Sequence, residues 1–347
     1  MKRSCLIISA VLFLTVLEGS FMHGFSATPE VAPIKWRVQC AFPGTTYLMV
    51  EKLCKKVEER TGGRLIMKPF PAGSIVKASE LFDAVAKGVV EAGFSASVYY
   101  ASKVPEAFIE HGLPYTHVTT DQVLENFYDY KNGQLYKLTQ EAFMDKGVVY
   151  LAGGCTTSYG LFGNFPVYSI DDFKGKKLRA TSVYGELAKQ LGASSFMVEG
   201  SDIYMAFQRG MMDGTFYPYR TLQDYKLKEV VKYMMMPAAH PGNILSVMCN
   251  PKAVSSLPDD VRKILFETAV DWARHDFTEG LAAVEQQCLK AAEDAGVKKI
   301  MLSDNVVEEL RNIMQKKVFP IYTQKTERCK VMWDITVSYL RGKGVFK

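Results

Sequence analysis

Histidine is the side chain most often used for acid–base catalysis, yet the histidines of this sequence form no catalytic pattern. His111 and His117 lie six residues apart, and His240 and His275 are isolated in the chain. The nucleophile motif G-x-S-x-G, the Walker phosphate loop and the zinc motif H-E-x-x-H are all absent. Histidines scattered in this way are more often solvated or core residues. The sequence therefore predicts that the chain is not an enzyme and carries no metal centre.

Cysteine and methionine give no stronger signal for a metal or a redox site. No C-x-x-C motif occurs, and Met234–Met236 is more typical of a buried strand than of a soft-metal site. Buried free thiols are predicted, and one or two disulfides remain the alternative. No cofactor is expected. Six cysteines follow the N-terminal segment: Cys40, Cys54, Cys155, Cys249, Cys288 and Cys329.

The elements that must position any site are indicated by an internal repeat. SELFDAVAKGVVEAG at 79–93 and SDIYMAFQRGMMDGT at 201–215 place Ser, Ala and Gly alike, with acidic, aromatic and basic residues at matching positions. Each segment is part of a longer strand–helix–strand–helix–strand pattern, which begins in the first half with the alternating apolar residues of 34–40. Two such β-α-β-α-β units predict an α/β fold of two lobes, resembling periplasmic binding proteins.

The last strand of each unit marks the expected site. Open α/β sheets bind ligands beyond the carboxyl ends of their strands, here after Gly93 and after Thr215. We predict a first lobe at 34–157 and a second lobe at 158–243. Residues 244–347 are predicted to supply a strand that crosses the hinge, a long helix spanning both lobes between Pro258 and Gly296, and C-terminal helices that complete both lobes.

The N-terminus has the order of a secretory signal. Lys2 and Arg3 precede a short apolar run, and small residues follow before Ala27, so residues 1–26 are predicted to be a cleaved signal peptide. The apolar run is too short for the roughly 20 residues of a membrane-spanning helix. After its removal, 40 basic and 36 acidic side chains remain, and they are spread along the chain. We expect an exported protein that binds no nucleic acid.

An exported chain of two lobes without catalytic motifs is typical of a solute-binding protein, whose lobes close around a ligand. Six segments resemble, in order, the DctP-type solute-binding subunits of TRAP transporters, and the resemblance covers nearly all of residues 34–340. The segments are GGRLIMKPFPAGSI, ELFDAVAKGVVEAG, LPY, DDFKGKKLRAT, LGAS and AFQRGMMDGTFYP.

The resemblance implies a periplasmic protein that delivers a small organic acid to a small and a large integral membrane subunit. It also implies transport driven by an ion gradient. In the family, the arginine of the motif matched by DDFKGKKLR pairs with the ligand carboxylate, and that residue is Arg179 here. A planar guanidinium holds a carboxylate through two parallel charge-assisted hydrogen bonds. A surface or structural ion pair is the alternative role for Arg179.

The chain departs from the family at positions where other members contact their ligands. Many acid-binding members have DGQENP where this chain has DGTFYP, so Tyr217 replaces an asparagine. The second basic group of sialic-acid and C4-dicarboxylate members falls near Ser158, with Tyr159 beside it, and an acidic group of some members falls near Ala96. The resemblance therefore argues against a ligand with two carboxylates and against sialic acid.

Aromatic residues replace those polar groups. We predict that Arg179, with Ser158, Tyr99, Tyr159, Phe216 and Tyr217, binds a monocarboxylate that has an apolar or aromatic body; the alternative is that the aromatic residues are core. No ligand set is evident for the metal ion that some monocarboxylate-binding members use. The aromatic residues at the expected cleft are Tyr99, Tyr100, Tyr159, Phe162, Phe216, Tyr217 and Tyr219.

Two other functions remain open at the level of sequence. A binding protein of an ABC transporter shares the two-lobed plan, and a periplasmic enzyme or sensor subunit would also be exported. The order of DDFKGKKLR before QRGMMDG favours the TRAP family. The ligand, the disulfide pairing and the oligomeric state are not determined by these patterns.

Overall fold

The repeated units of the sequence form the strands of two sheets. The computed structural model describes residues 32–180 and 182–346, so the signal segment predicted at 1–26 lies outside the described residues. The strands in this part of the chain are β1 (Ile34–Cys40), β2 (Leu65–Phe70), β3 (Ala92–Ser95), β4 (Val149–Cys155), β5 (Tyr159–Gly163), β6 (Lys177–Arg179), β7 (Ser194–Phe196), β8 (Gly214–Pro218), β9 (Tyr233–Met236), β10 (Ile244–Cys249) and β11 (Lys298–Met301).

Helices connect these strands and cover the sheets. The α-helices are α1 (Thr45–Arg60), α2 (Leu81–Ala86), α3 (Ala107–His111), α4 (Thr120–Leu124), α5 (Gln134–Met144), α6 (Ser182–Gln190), α7 (Ile203–Gln208), α8 (Thr221–Asp224), α9 (Pro251–Ser255), α10 (Asp259–Asp271), α11 (Thr278–Asp294), α12 (Asp304–Ile313), α13 (Phe319–Thr323) and α14 (Glu327–Gly342). Short 3-10 segments lie at Ala78–Glu80, Ser97–Tyr100, Ile170–Phe173, Gly200–Asp202 and Leu227–Glu229, and π-helical segments at Glu125–Asp129, Trp272–Phe277 and Met314–Val318.

The two sheets share a plan of five strands, to which the second sheet adds β11. The first has the order β2-β1-β3-β10-β4, in which β1 is parallel to β2 and β3, and β10 is antiparallel to β3 and β4. The second has the order β11-β9-β5-β8-β6-β7, in which β6 is parallel to β7 and β8, and β5 is antiparallel to β8 and β9. The two-lobed α/β fold predicted from the repeat is therefore confirmed.

Two glycines explain why the helices of the two repeated segments end alike. Gly88 and Gly210 follow α2 and α7 and have φ angles of 74° and 64°. This left-handed conformation ends a helix and is unfavourable for residues with a β-carbon. A substitution at either glycine would strain the turn that leads into β3 or β8.

The chain crosses between the sheets at several points. It passes from β4 to β5 through residues 156–158 and returns from β9 to β10 through residues 237–243. The long helix predicted between Pro258 and Gly296 is present as α10, the π-helical segment Trp272–Phe277 and α11. Its π-helical part packs on β4 of the first sheet, and α11 packs on α8 of the second lobe.

All six cysteines of the described residues are free and buried, which confirms the prediction of buried thiols. Burial raises the pKa of the Cys54 thiol to about 12, so it stays protonated at neutral pH. In the described part of the chain, no helix combines the length and the apolar character that a membrane span requires.

Candidate functional site

The carboxyl ends of β3 and β8 face one cavity of about 50 Å³ between the two sheets. The first lobe contributes Ala96 and Tyr99, which follow β3, and the second contributes Tyr217 and Arg220, at and beyond the end of β8. Asn243 lies in the segment that returns to the first sheet and also lines the cavity. The cavity is therefore at the place where the repeated strands end, as expected for an open α/β sheet.

Arg179 is the most unusual residue of this cavity. It is the last residue of β6, and only 1% of it is exposed. Its Nε donates a hydrogen bond to the Val198 carbonyl oxygen at 3.2 Å, and its guanidinium lies 4.3 Å from the centre of the Tyr217 ring. Among the described residues, no carboxylate forms an ion pair with it. The structure thus holds a buried cation without an anionic partner.

Tyrosines surround the guanidinium. Burial acts to lower the pKa of Arg179, but the nearby oxygens of Tyr217, Tyr159 and Tyr99 outweigh burial, so its pKa is raised and it remains charged. The Tyr159 ring meets the Tyr217 ring edge-on at 5.9 Å and stacks on the Tyr184 ring at 4.7 Å. The cation therefore lies at one end of a group of aromatic rings, which favours a flat or apolar ligand body.

Arg220 is a second guanidinium in the cavity lining, but it is paired. It is 3% exposed and forms an ion pair with Asp224, one turn later in the chain. Its Nη2 also donates to the Thr46 hydroxyl of α1 at 2.7 Å, whereas its Nε has no partner among the described residues. Its charge is thus compensated within the protein, unlike that of Arg179.

His111 is the histidine that lines the cavity. Its Nδ1 donates to the Ile244 carbonyl oxygen at 2.8 Å, and burial lowers its pKa to about 4. The side chain is neutral at physiological pH and is held by the backbone. In the part of the chain that the structure describes, no three His, Cys, Asp or Glu side chains are grouped as metal ligands.

The structure brings four of the six predicted ligand-binding residues together: Arg179, Tyr99, Tyr159 and Tyr217 all line the cavity. The other two lie outside its lining. Ser158 is bonded to Glu285 of α11, through its backbone N–H at 3.0 Å and its hydroxyl at 3.2 Å. Phe216 is 1% exposed, and its ring packs against the Tyr184 ring with 5.1 Å between the ring centres.

Three more of the aromatic residues considered from the sequence are core rather than cleft. Tyr100 donates to the Ser95 hydroxyl at 2.9 Å inside the first lobe. Phe162 and Tyr219 are fully buried in the core of the second lobe, and the Tyr219 hydroxyl donates to the Met235 carbonyl. Phe162 shares a sheet face with Tyr217 but pairs with Thr215, two residues further from the end of β8, so its depth in the sheet keeps it from the cavity. Tyr100 lies in the 3-10 segment Ser97–Tyr100 and Tyr219 follows the end of β8, so strand alternation does not place either of them.

Several lining residues have no signal in the sequence pattern. Tyr184, Tyr225 and Asn243 come from a helix, a loop and the segment before β10, so no strand-end rule finds them. Thr156 follows the last residue of β4 by one position, and Arg220 follows the repeated strand β8 by two. A position beyond a strand end is the signal that could have identified both.

Comparison with known proteins gives a family match over most of the chain. A family model described as bacterial extracellular solute-binding protein, family 7, or DctP, matches residues 43–325. A monocarboxylate 2-oxoacid-binding periplasmic protein of Nostoc sp. is 27% identical over 301 residues, which cover 85% of this chain and 80% of the relative. The C4-dicarboxylate-binding periplasmic protein DctP of Rhodobacter capsulatus is 26% identical over 274 residues, covering 78% and 79%.

Solved structures share the fold. A TRAP periplasmic solute-binding protein from Rhodoferax ferrireducens, with bound malonate, superposes with a TM-score of 0.80 at 22% sequence identity. The alignment covers 90% of this chain and 100% of that one. The names of these relatives give different ligands, a 2-oxoacid, a C4-dicarboxylate and malonate. The names of the relatives therefore do not fix the ligand class of this chain, which depends on the residues of its own cavity.

Proposed function

The chain belongs to family 7 of the bacterial extracellular solute-binding proteins, the DctP family, and we propose that it captures a small monocarboxylate for a TRAP transporter. The same family was indicated by the motifs of the sequence. The class of ligand and the residues that hold it are inferred from the cavity between the two sheets.

The observation that carries the proposal is the unpaired guanidinium of Arg179. A buried charge without a partner costs several kcal/mol, even after the surroundings relax. Natural proteins keep such a charge where a ligand supplies its partner, and a carboxylate matches a guanidinium through two parallel hydrogen bonds. Arg179 therefore anchors the ligand carboxylate, with the Tyr217 ring against one face of the guanidinium.

A single carboxylate fits the charge of the cavity. Arg220 is a second cation in the lining, but Asp224 already neutralises it. Arg179 thus leaves one positive charge for the ligand to compensate. A second carboxylate on the ligand would have to compete with Asp224 for Arg220 or remain buried without a partner.

Binding without turnover is the role that the lining supports. A general acid or base works best when its pKa lies near the operating pH. Burial lowers the pKa of His111 to about 4, and burial raises the pKa of Tyr99 and Tyr159 well above the ordinary value. We therefore propose a receptor and not an enzyme.

The location and the partners follow from the family. Relatives of this chain are named as periplasmic proteins. We propose that the chain is exported through a signal at 1–26, acts in the periplasm and delivers its ligand to a small and a large integral membrane subunit. Genes for two such subunits beside the gene of this protein, without an ATPase gene, would support this part of the proposal.

The test is a comparison of ligands on protein freed of any co-purified molecule. Native mass spectrometry first identifies what the protein carries, and calorimetry then compares phenylpyruvate, indole-3-acetate, a branched 2-oxo acid and succinate. We expect the best monocarboxylate to bind at least about a hundredfold more tightly than succinate, or roughly 2.7 kcal/mol. Preferential binding of succinate would show that Arg220 exchanges Asp224 for a second ligand carboxylate. Absence of binding by every organic acid would contradict the proposed function.

A further inference from the structure

One part of the cavity lining contains four polar atoms that have no hydrogen-bond partner among the described residues. They are Thr156 Oγ1, Ser182 Oγ, Tyr184 OH and Asn243 Oδ1. Asn243 is fully buried, and Thr156 and Tyr184 are 3% and 6% exposed. We call these four residues the polar pocket. Buried polar groups in proteins are nearly always bonded, so four together in a cavity indicate a missing partner.

The orientation of the Asn243 side chain is fixed by its neighbours. Its Nδ2 donates to two backbone carbonyl oxygens, those of His111 at 3.1 Å and Gly112 at 3.3 Å. Rotating the amide by half a turn would place its oxygen against both carbonyl oxygens, which is repulsive. The backbone carbonyl of Asn243 accepts from the Thr156 N–H at 2.9 Å, which holds the two residues side by side. Oδ1 is therefore left as the free atom.

The free atom of Asn243 can only accept a hydrogen bond. The hydroxyls of Thr156, Ser182 and Tyr184 can donate or accept by rotating, so they adapt to many ligands. An amide oxygen without a donor is costly when buried, and it selects against a ligand that offers none. The polar pocket therefore favours a ligand that brings a donor to Asn243 Oδ1 and leaves the three hydroxyls free to adapt.

The polar pocket lies within reach of the ligand anchored at Arg179. Tyr159 interacts with Arg179 through its hydroxyl and stacks on the Tyr184 ring at 4.7 Å. The Tyr184 hydroxyl in turn interacts with the Asn243 side-chain amide, although no hydrogen bond of good geometry joins them. About one aromatic ring thus separates the guanidinium from the polar pocket, so one small molecule can contact both.

We propose, building on the proposed function, that the ligand carries a neutral hydrogen-bond donor in addition to its carboxylate. A hydroxyl or an amide N–H donates to Asn243 Oδ1, while Arg179 holds the carboxylate. The donor is neutral because no carboxylate is among the described residues that line the cavity, and Asp224, the partner of Arg220, is already paired, so an ammonium group would find no anion. The favoured class is hydroxy acids and lactam acids rather than simple 2-oxo acids or amino acids.

Pairs of acids that differ only in the donor test this proposal. We would compare pyroglutamate with the lactone in which ring oxygen replaces its N–H, 4-hydroxyphenylacetate with phenylacetate, and a branched 2-hydroxy acid with its 2-oxo form. Calorimetry is expected to show at least one pair in which the donor-bearing acid binds tenfold or more tightly. Carboxylates that bind without a tenfold preference in any pair would overturn the inference and leave the proposed function intact. Binding of none of these acids would overturn both.

Variants show which residues cause the preference for an acid that carries a hydrogen-bond donor. Asn243→Leu is expected to remove most of it, and Thr156→Val to reduce it at least threefold, because each removes a polar atom from the pocket. Thr157→Val is the matched control, since Thr157 is 1% exposed and also has an unpartnered hydroxyl but does not line the cavity. Should Asn243→Leu fail to fold, Thr156→Val and Thr157→Val decide the question. A preference that is the same in wild type and in Thr156→Val would then overturn the proposal.

Discussion

Arg179 and Arg220 lie in the same cavity, both come from the second lobe and both are almost completely buried, yet they are held in opposite ways. Arg220 has a carboxylate partner in Asp224 and a hydroxyl partner in Thr46 of the first lobe. Arg179 has only neutral partners among the described residues: a backbone carbonyl, the Tyr159 hydroxyl, a methionine sulfur at 3.9 Å and an aromatic face. The protein therefore satisfies one cation from within and leaves the other to be satisfied from outside.

The difference separates holding the lobes together from holding the ligand. Arg220 and Asp224 belong to the second lobe and contact the N-terminal end of α1 in the first, where the Thr45 hydroxyl lies 3.5 Å from Asp224. A carboxylate at that end of a helix is favoured by the helix dipole. We infer that this pair links the closed lobes, whereas Arg179 selects the ligand. Measurements on the two arginines and on Tyr217 test this division, and Glu110 provides the corresponding test for a buried acid.

The largest effect is expected on affinity when Arg179 is replaced. Arg179→Ala leaves the ligand carboxylate buried without a partner, so binding should weaken by roughly 2–5 kcal/mol. Arg179→Lys keeps the charge but loses the planar pair of donors, so it should also bind clearly less tightly. Calorimetry on both variants, with Arg209→Ala as an exposed control from the same lobe, measures this. An affinity of Arg179→Ala within threefold of wild type would place the anchor elsewhere.

Replacement of Arg220 should act on stability instead. Arg220→Ala leaves Asp224, which is 11% exposed, without its cation, and removing one partner of a buried pair costs about 3 kcal/mol. Urea unfolding of Arg220→Ala, Asp224→Asn and the double variant would give the coupling between the two residues. If Arg220→Ala lost affinity as strongly as Arg179→Ala and kept its stability, the division between the two arginines would be wrong.

Glu110 offers the acidic counterpart of Arg179, because it too is buried and has no ionic partner in the part of the chain that the structure describes. The Ser97 and Tyr150 hydroxyls are bonded to it, and burial raises its pKa to about 8, so it remains protonated at neutral pH. An unfolded glutamate loses its proton near pH 4.5, so the native state retains a proton that the unfolded state releases. The contribution of Glu110 to the free energy of unfolding is therefore largest below pH 4.5 and falls as the pH rises towards 8.

The pH effect of Glu110 can be isolated by comparison with Glu110→Gln. Between pH 6 and pH 8 the wild type should lose about 2 kcal/mol relative to the variant, since each pH unit is worth about 1.36 kcal/mol. Urea unfolding at several pH values gives the difference. Parallel pH profiles for the two proteins would show that Glu110 is ionised in the native state.

The smallest effect is expected from the ring beside Arg179. Tyr217→Leu removes the aromatic face that lies 4.3 Å from the guanidinium, and a desolvated cation–π contact is worth about 1–2 kcal/mol. Affinity should fall by that amount, whereas Tyr217→Phe should bind within about twofold of wild type because the ring is kept. An equal loss in both variants would indicate that the hydroxyl, and not the ring, contacts the ligand.

Much of this protein could be predicted from local patterns. The alternation of apolar residues at 34–40, the glycines Gly88 and Gly210 and the repeated segments gave the strands, the turns and the two-lobed fold. The match to the family model confirms the family and its solute-binding role. Arg179 was found because its motif is short and continuous in the chain. Periodicity and turn chemistry depend on neighbouring residues, so they can be read without knowing what lies across the cavity.

The tertiary structure decided which of the candidates share the cavity and which polar atoms lack partners. Phe216 and Tyr217 are adjacent in the chain and lie on opposite faces of β8, and the pairing of β8 with β6 decided that the face of Tyr217 meets the guanidinium. The free oxygen of Asn243 depends on the His111 carbonyl, 132 residues away. Spacing along a strand fixes the face on which a residue lies, whereas hydrogen-bond satisfaction and charge pairing depend on segments that meet only when the chain has folded.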